Sequence, residues 1–425
     1  MRWLDVTIGD ACVPTLQADP GRSGRPTFRY VDISGIDRDE KVICKATELP
    51  SDEAPSRARK IIEASDVLVS TVRPNLNAVA IVPRELDGEI ASTGFAVLRA
   101  NQKLLHPKFL YFWVQHADFV NFLVSSATGA SYPAVTDGVV KRAKLPLPPP
   151  REQERIVELL DEADHLRRLR READAKASRI LSALFLKMFG DPATNPKGWA
   201  IETLGSVLLS ADYGSSTRAS DDGKGLPLIR MGNVGYEGNL LLDDLKFVEL
   251  SDSDVEKYRL DAGDILFNRT NSLDLVGKTG IWNGEMDAVV ASYFIRLRVD
   301  RDKVEPMFLW AFMNSAHMKG ILRATARGAI GQANINTGEL RAFPLYLPPP
   351  EKQREFVRLV CAVRKALPSK ASSSDLDVLF GVLQNRAFSG HLTAKWRQDH
   401  IQELLAEMQE QARALNLPMP KDVAA

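Results

Sequence analysis

Between Arg151 and Gly190, apolar residues recur at Ile156, Leu159, Ala163, Leu166, Leu169, Ala173, Ala177, Ile180, Leu184 and Met188. Every step is three or four residues, which predicts a long helix with one buried stripe. At 1.5 Å per residue, about 36 residues make a rod of roughly 54 Å. Such a rod must bury its stripe, and a second pattern supplies the partner: Phe356, Leu359, Val363, Leu379, Leu383 and Phe388. That pattern is interrupted by LPSKASSSD, Leu367 to Asp375, where Pro368 kinks or breaks the helix. Elsewhere the pattern shortens to β-rich runs bounded by Gly, Pro and Asn: VLVSTV, AVAIVP and GFAVLR early, DILFNR and SYFIRLRV later. Each set leads into one helix, near 106 to 124 and 305 to 323, and then into a loop-rich return.

The two sets are copies. LPLPPPREQERIVELL from Leu145 matches LYLPPPEKQREFVRLV from Leu345, with three prolines and a glutamine (Gln153 and Gln353) in register. A proline run fixes φ and holds the preceding residue out of the helical region, so each copy reads as an extended stub that turns into a charged helix. At an offset of about 200 residues the flanks align as well. DVLVSTVRPN from Asp66 faces DILFNRTNSL from Asp264, and ASTGFAVLR from Ala91 faces VASYFIRLR from Val290. Pro107, Phe109 and Leu110 meet Pro306, Phe308 and Leu309, while Gly129 and Ala130 meet Gly328 and Ala329. The order is a globular unit, a helix, a similar unit and a second helix. Apolar and glycine positions are shared, whereas the polar positions between them differ, so one frame carries two faces.

The length of 425 residues allows two or three domains, and 44% hydrophobic with 26% charged residues is ordinary globular composition. Lys plus Arg equals Asp plus Glu at 55 each, so net charge gives no basic flag, although a local patch is compatible with neutrality. Cys12, Cys44 and Cys361 are an odd, scattered set without CxxC, which argues against a disulfide framework and against a cysteine zinc site. The start, MRWLDVTIGDACVP, has no apolar signal core, and no stretch approaches a membrane span. The expectation is a cytoplasmic protein.

Catalytic patterns are missing. LVGKTG, Leu275 to Gly280, resembles the end of a phosphate loop, but Ser272 stands where a glycine is needed. The six histidines show no HExxH or HxxxH spacing. No Asn-Pro-Pro-aromatic or Asp-Pro-Pro-Tyr sequence stands ready for a flipped base, and there is no glycine fingerprint for a methyl donor. No cofactor, metal or catalytic residue is implied. What remains are loops rich in donors and acceptors that read bases and phosphates: Arg73, Asn75, Asn77, Ser131 and Tyr132 in the first half, and Arg269, Thr270, Asn271, Arg327, Gln332, Asn334 and Asn336 in the second. By composition alone these are turn formers. Their matched placement in two divergent copies points instead to a binding surface.

Two variable units, each followed by PPxxEQ or PPxxQ and a long helix, with KMFGDP and NPKGW after the first and AFSGHLTAKW after the second, resemble the DNA-specificity subunit of type I restriction-modification systems. The resemblance covers Trp3 to about Trp396. It implies an α+β fold with target recognition domains at 1–145 and 193–345, stubs and spacer helices at 146–192 and 346–396, and helices packed as an antiparallel coiled coil. The partners it implies are double-stranded DNA, two methyltransferase subunits and, through them, a restriction and translocase subunit, with no membrane and no catalysis by this chain. Residues 397–425, an added helix, have no place in that pattern. Two other readings stay open at this stage: a self-sufficient DNA methyltransferase or nuclease with unrecognised motifs, and a coiled-coil scaffold that binds no nucleic acid.

Overall fold

The computed structural model describes residues 2–129, 132–242, 244–272, 275–329, 332–366 and 373–419. It divides into two compact α+β units, one formed by residues 1–169 and 376–425 and the other by residues 170–375.

In the first unit, the strands Cys12–Val13, Phe95–Ala100, Val67–Ser70 and Val79–Ile81 form an antiparallel sheet in that order. The run at Val67 is apolar at successive positions because both faces of the sheet are covered. Val67 and Val69 enter one core with Leu98, while Leu68 enters another with Phe95 and Val97. A second sheet has the order Thr47–Pro50, Thr27–Val31, Ile90–Ser92 and Ala58–Ile61, with its central pair parallel. Helices α1 (Pro107–Trp113), α2 (Ala117–Ser126) and α3 (Asp137–Arg142) follow, and then α4 (Pro150–Phe189), which is 40 residues long.

The second unit repeats this plan. Leu208–Tyr213, Phe294–Val299, Ile265–Asn268 and Thr279–Ile281 form the matching sheet, and Lys246–Val248, Leu226–Ile229 and Val289–Val290 form a second one that again contains a parallel pair. Helices α5 (Asp252–Tyr258), α6 (Pro306–Met313), α7 (Ala316–Thr325), α8 (Thr337–Arg341) and α9 (Pro350–Ala366) complete it. The chain then returns to the first unit with α10 (Ser373–Phe388), α11 (Ala394–Asp399) and α12 (Ile401–Ala414). Pro368, where a kink was expected, lies outside the described residues.

Two expectations need correction. The single helix near 106 to 124 is the pair α1 and α2, and its counterpart is the pair α6 and α7. At the break, the His116 side chain accepts from the amide of Asp118, and Ser315 accepts from that of Met318, so each junction starts a new helix. The stripe along α4 is also only partly buried. Ile156 and Leu160 are fully covered, as are Phe185 and Phe189 near the far end, whereas Leu166, Leu169 and Ile180 are about half exposed.

The repeated stub works as a joint. Strand Leu4–Thr7 pairs with Lys144–Leu147, and Ala200–Thr203 pairs with Pro344–Leu347, so each proline run leaves a two-stranded ribbon. One helical turn later comes the shared glutamine, which is fully buried in both copies. The Gln153 amide donates to the carbonyls of Leu104 and Pro148, both at 2.8 Å, and its oxygen accepts from the amide of His106 at 2.7 Å. Gln353 makes the same set with Lys303, Pro348 and Glu305. Three backbone groups that neither helix nor sheet can serve are thereby satisfied.

Helix ends fill out the cores. Phe388 of α10 lies edge-on to Phe109 of α1 at 5.4 Å, and Phe380 meets Phe112. In the second unit, Phe189 of α4 lies edge-on to Phe308 of α6 at 4.9 Å and to Phe356 of α9 at 5.4 Å. The C-terminal segment, unplaced by sequence, packs on the first unit, where Leu404, Met408 and Ala412 of α12 are buried. Buried Glu152 accepts from Trp3, Thr393 and Arg397, so the N-terminal segment and the start of α11 meet at the first joint. Gln411 of α12 also donates to Leu104 and Pro148, the acceptors that Gln153 uses.

Removing the joint glutamine strands buried backbone groups, each of which costs about 1–3 kcal/mol. Gln353→Ala should therefore destabilise the protein by roughly 2–4 kcal/mol in urea denaturation of the full chain. Gln153→Ala should cost less, because Gln411 still serves two of the acceptors. Loss of the difference in a Gln411→Ala background would confirm the backup, and an undiminished difference would refute it.

Candidate nucleic-acid interface

Strands Val67–Ser70 and Ile265–Asn268 occupy matching places, and each runs straight into a polar loop. In the first unit that loop is joined to the distant return segment by the backbone. The Thr71 carbonyl accepts from Val135, the Arg73 amide donates to Pro133 at 2.7 Å, and Val72 and Thr128 both bridge to Ala134. In the second unit the same three-segment seam is a small sheet. Thr270–Asn271 pairs with Gln332–Asn334, which pairs with Arg327–Ala329. The Arg269 carbonyl accepts from Ile335, as Thr71 does from Val135. Loops that sequence comparison matched only by position are thus brought together in each unit.

The side chains divide into those held out and those held in. Arg73 is exposed and left-handed, with φ 49° and ψ 62°, a conformation that costs about 1–2 kcal/mol for a non-glycine residue. Its guanidinium lies 4.8 Å from the ring centroid of Tyr132, which is 69% exposed. Asn75 is exposed on the turn Pro74–Leu76. Ser131 lies outside the described residues. In the second unit Arg269 lies 4.7 Å from the ring centroid of Tyr213, itself 44% exposed. Thr270 donates to exposed Asn334 at 3.4 Å across the seam. Asn271 is half-buried; its amide donates to Asn268 and its oxygen accepts from the amide of Ser272. The backbone places Arg327 and Gln332 on facing strands of the hairpin.

Two expected contacts are engaged inside the fold. The Asn77 oxygen accepts from Lys41, and its amide donates to the Val114 carbonyl at 2.9 Å. Burial draws the Lys41 ammonium down to about 8, against some help from Asp39. Asn77 therefore anchors the strained turn, with its amide oxygen and its amide nitrogen both engaged within the unit. Asn336 caps α8: it accepts from the amide of Glu339, whose carboxylate accepts from the amide of Asn336 in return. The Thr136 side chain likewise accepts from the amide of Val139 at the start of α3, which reveals position 336 as part of the frame. Tyr213 and Lys41 escaped sequence reading. Tyr213 ends a strand of six residues whose counterpart, Cys12–Val13, has two, and Lys41 lies in the turn between the short strands Ile36–Asp37 and Val42–Ile43.

Comparison with known proteins identifies the family. The family described as type I restriction modification DNA specificity domain matches twice, over residues 38–176 and 196–368. The chain is similar to the type I restriction enzyme EcoKI specificity subunit of Escherichia coli K12, 24% identical over 337 residues that cover 75% of this chain and 72% of that one. A putative MjaX specificity subunit of Methanocaldococcus jannaschii is 27% identical over 218 residues, 47% of this chain and 51% of that one, so the chain spans about half the length of the archaeal protein. Among solved structures, the S subunit from M. genitalium, 14% identical, covers 91% of this chain and 96% of its own with a TM-score of 0.50, a likeness of fold. The HsdS subunit from Thermoanaerobacter tengcongensis is 30% identical across 92% of this chain and 97% of its own, with a TM-score of 0.42.

The cap at Asn336 gives a direct check on the division between frame and face. Asn336→Ala should lower stability by about 1 kcal/mol in thermal or urea unfolding, and Asn336→Asp, which keeps the cap, should restore most of it. Base preference should be the same in all three proteins; a changed preference in Asn336→Ala alone would return this residue to the reading face.

Proposed function

Since the chain belongs to the family of type I restriction-modification DNA-specificity proteins, we propose that it reads a bipartite, interrupted site on double-stranded DNA, one half with each unit. The observation that carries this is the seam repeated at the end of matching strands, which brings divergent polar loops together on a shared frame. Arg73, Asn75 and Tyr132 form the reading face of the first domain, within residues 1–145. Arg269, Thr270, Asn271, Arg327, Gln332 and Asn334 form that of the second, within 193–345. Arginine pairs with guanine and asparagine or glutamine with adenine through two hydrogen bonds, each pair being worth about 1–3 kcal/mol of discrimination. The chain itself is not catalytic.

Methyl transfer and cleavage fall to the subunits it positions: methyltransferase subunits and, through them, a restriction subunit. The half-exposed Leu166 and Leu169 of α4 and the exposed Val378, Leu379 and Val382 of α10 support a role of these helices in holding partners, since exposed apolar side chains are costly to leave in water. In this reading the helices pack as an antiparallel coiled coil and set the gap between half-sites. A continuous helix of 40 residues is about 60 Å long, enough to impose a separation of roughly one turn of DNA.

Exchanging residues 1–143 for the same unit of a relative should change one half of the methylated motif and leave the other intact; a change in both halves would contradict independent reading. Four residues inserted after Arg171 would lengthen α4 by about 6 Å and rotate its far end by roughly 40°. Because each base pair spans about 3.4 Å, genome-wide methylation mapping should then show the gap longer by one or two base pairs with both half-sites unchanged. An unchanged gap at full activity would reduce the helix to a connector.

A further inference from the structure

Arg73 and Arg269 differ from most cations in the molecule. Among the described residues neither is paired with a carboxylate, and each lies over the ring of a half-exposed or exposed tyrosine within its own unit. Contacts of this kind are common enough that two alone would mean little. Of the others, Arg167 over Phe380 and Arg397 over Trp3 also pair with carboxylates, and Arg364 lies over buried Trp310. Lys257 over Tyr258 and Lys319 over Tyr236 carry an ammonium, which has no planar edge. Arg73 and Arg269 lie at the three-segment seams, one or a few residues past the same strand of the repeated sheet.

The tyrosines do not derive from one duplicated position. Tyr132 belongs to the return segment beside Pro133, whose carbonyl holds the Arg73 amide. Tyr213 ends the strand Leu208–Tyr213, opposite Ile295, at a point where the first unit has no strand. Polar residues in the two faces have otherwise diverged. The same pairing has thus been built twice from different segments, while the frame around it was inherited.

The chemistry explains what the pairing does. A guanidinium is planar: stacking occupies its face and leaves the N–H groups along its edge for a planar acceptor. Guanine presents such an acceptor in the major groove through O6 and N7. An unrestrained arginine must lose about 2 kcal/mol of rotamer freedom when it binds, and stacking removes part of that freedom before DNA arrives. In the first unit the backbone adds a second restraint. Arg73 is locked left-handed, and the turn it opens is pinned at Asn77. In the second, the Arg269 Nε is buried without a hydrogen-bond partner among the described residues, so the side chain is held by the ring and its surroundings, with its outer edge left to act.

We infer that Tyr132 and Tyr213 are positioning residues, each holding one arginine edge-outward to read a guanine in its own half-site. This rests on the loops being the DNA-reading face. The test begins with the methylated motif mapped in the source genome, which supplies a duplex probe and a set of duplexes with single base-pair changes. Affinity is measured with the full chain assembled with its methyltransferase partner. Tyr132→Leu and Tyr132→Ala should each weaken binding about five- to tenfold and lose discrimination at one G·C pair of the first half-site, whereas Tyr132→Phe, which keeps the ring, stays within about twofold of wild type. Tyr213 variants should behave likewise at one G·C pair of the other half-site. The leucine variants keep bulk, so the Leu and Phe comparison decides the matter even where alanine unfolds the loop. Equal behaviour of Phe and Leu variants, or loss at a pair other than G·C, overturns the inference. Arg73→Ala and Arg269→Ala separate it from its premise: if both leave discrimination intact, the loops are not the reading face and the inference falls with it; if they abolish it while the Leu variants do not, only the tyrosine role fails.

Discussion

A buried glutamine amide, used once in each unit, fixes how the globular part of that unit is joined to the helix that follows it. Gln153 and Gln353 sit in the first turn of α4 and α9 and reach back to the proline stub and to the loop before α1 or α6. A single planar group thus satisfies two carbonyls and one amide that belong to different parts of the chain. Leaving such groups unpaired costs more than making the bonds gains, so the joint has one favourable geometry. A domain that must place side chains against base edges needs this, because small errors at the joint would grow with distance.

Each unit also contains the start of one long helix and helix from a distant part of the sequence: α4 with α10 in the first, α9 with the end of α4 in the second. Phe380 and Phe388 of α10 complete the core that holds the start of α4, and Phe185 and Phe189 of α4 complete the core that holds the start of α9. Burying one such ring is worth about 1.5–3 kcal/mol, so neither globular unit is complete without helix from a distant part of the sequence. The first unit carries a further fastening that has no counterpart among the described residues of the second. Glu152, buried under Trp3, Thr393 and Arg397, corresponds to Lys352, which is exposed. The C-terminal helix therefore distinguishes the two joints.

The frame was legible in the sequence because duplication exposes it. Residues shared by both copies have shared duties: Asp66 pairs with Arg99 as Asp264 does with Arg298, and Phe109 and Phe308 receive matching rings. The face was less legible, since a polar loop residue can serve the solvent, the backbone or a ligand. Asn77 and Asn336 looked like their neighbours and turned out to hold the loop and a helix. Tyr213 gave no signal, because its role depends on a strand extension that brings it to a distant arginine. Helix breaks at His116 and Ser315 were missed for a related reason: a capping side chain ends one apolar pattern and begins another in the same phase. Burial along α4 followed Leu160, Phe185 and Phe189 more than the periodic stripe, because the cores meet the helix near its ends.

The central claim is that each unit addresses its own half of one DNA site, and site-directed crosslinking reports this directly. A photoreactive side chain placed at Asn75, or in a separate protein at Asn334, would be activated in the complete assembly on a duplex bearing the mapped motif. The account predicts adducts from position 75 confined to one half-site and from position 334 to the other, each lost when only its own half is scrambled. Adducts from both positions in the same half, or adducts insensitive to the motif, would contradict it.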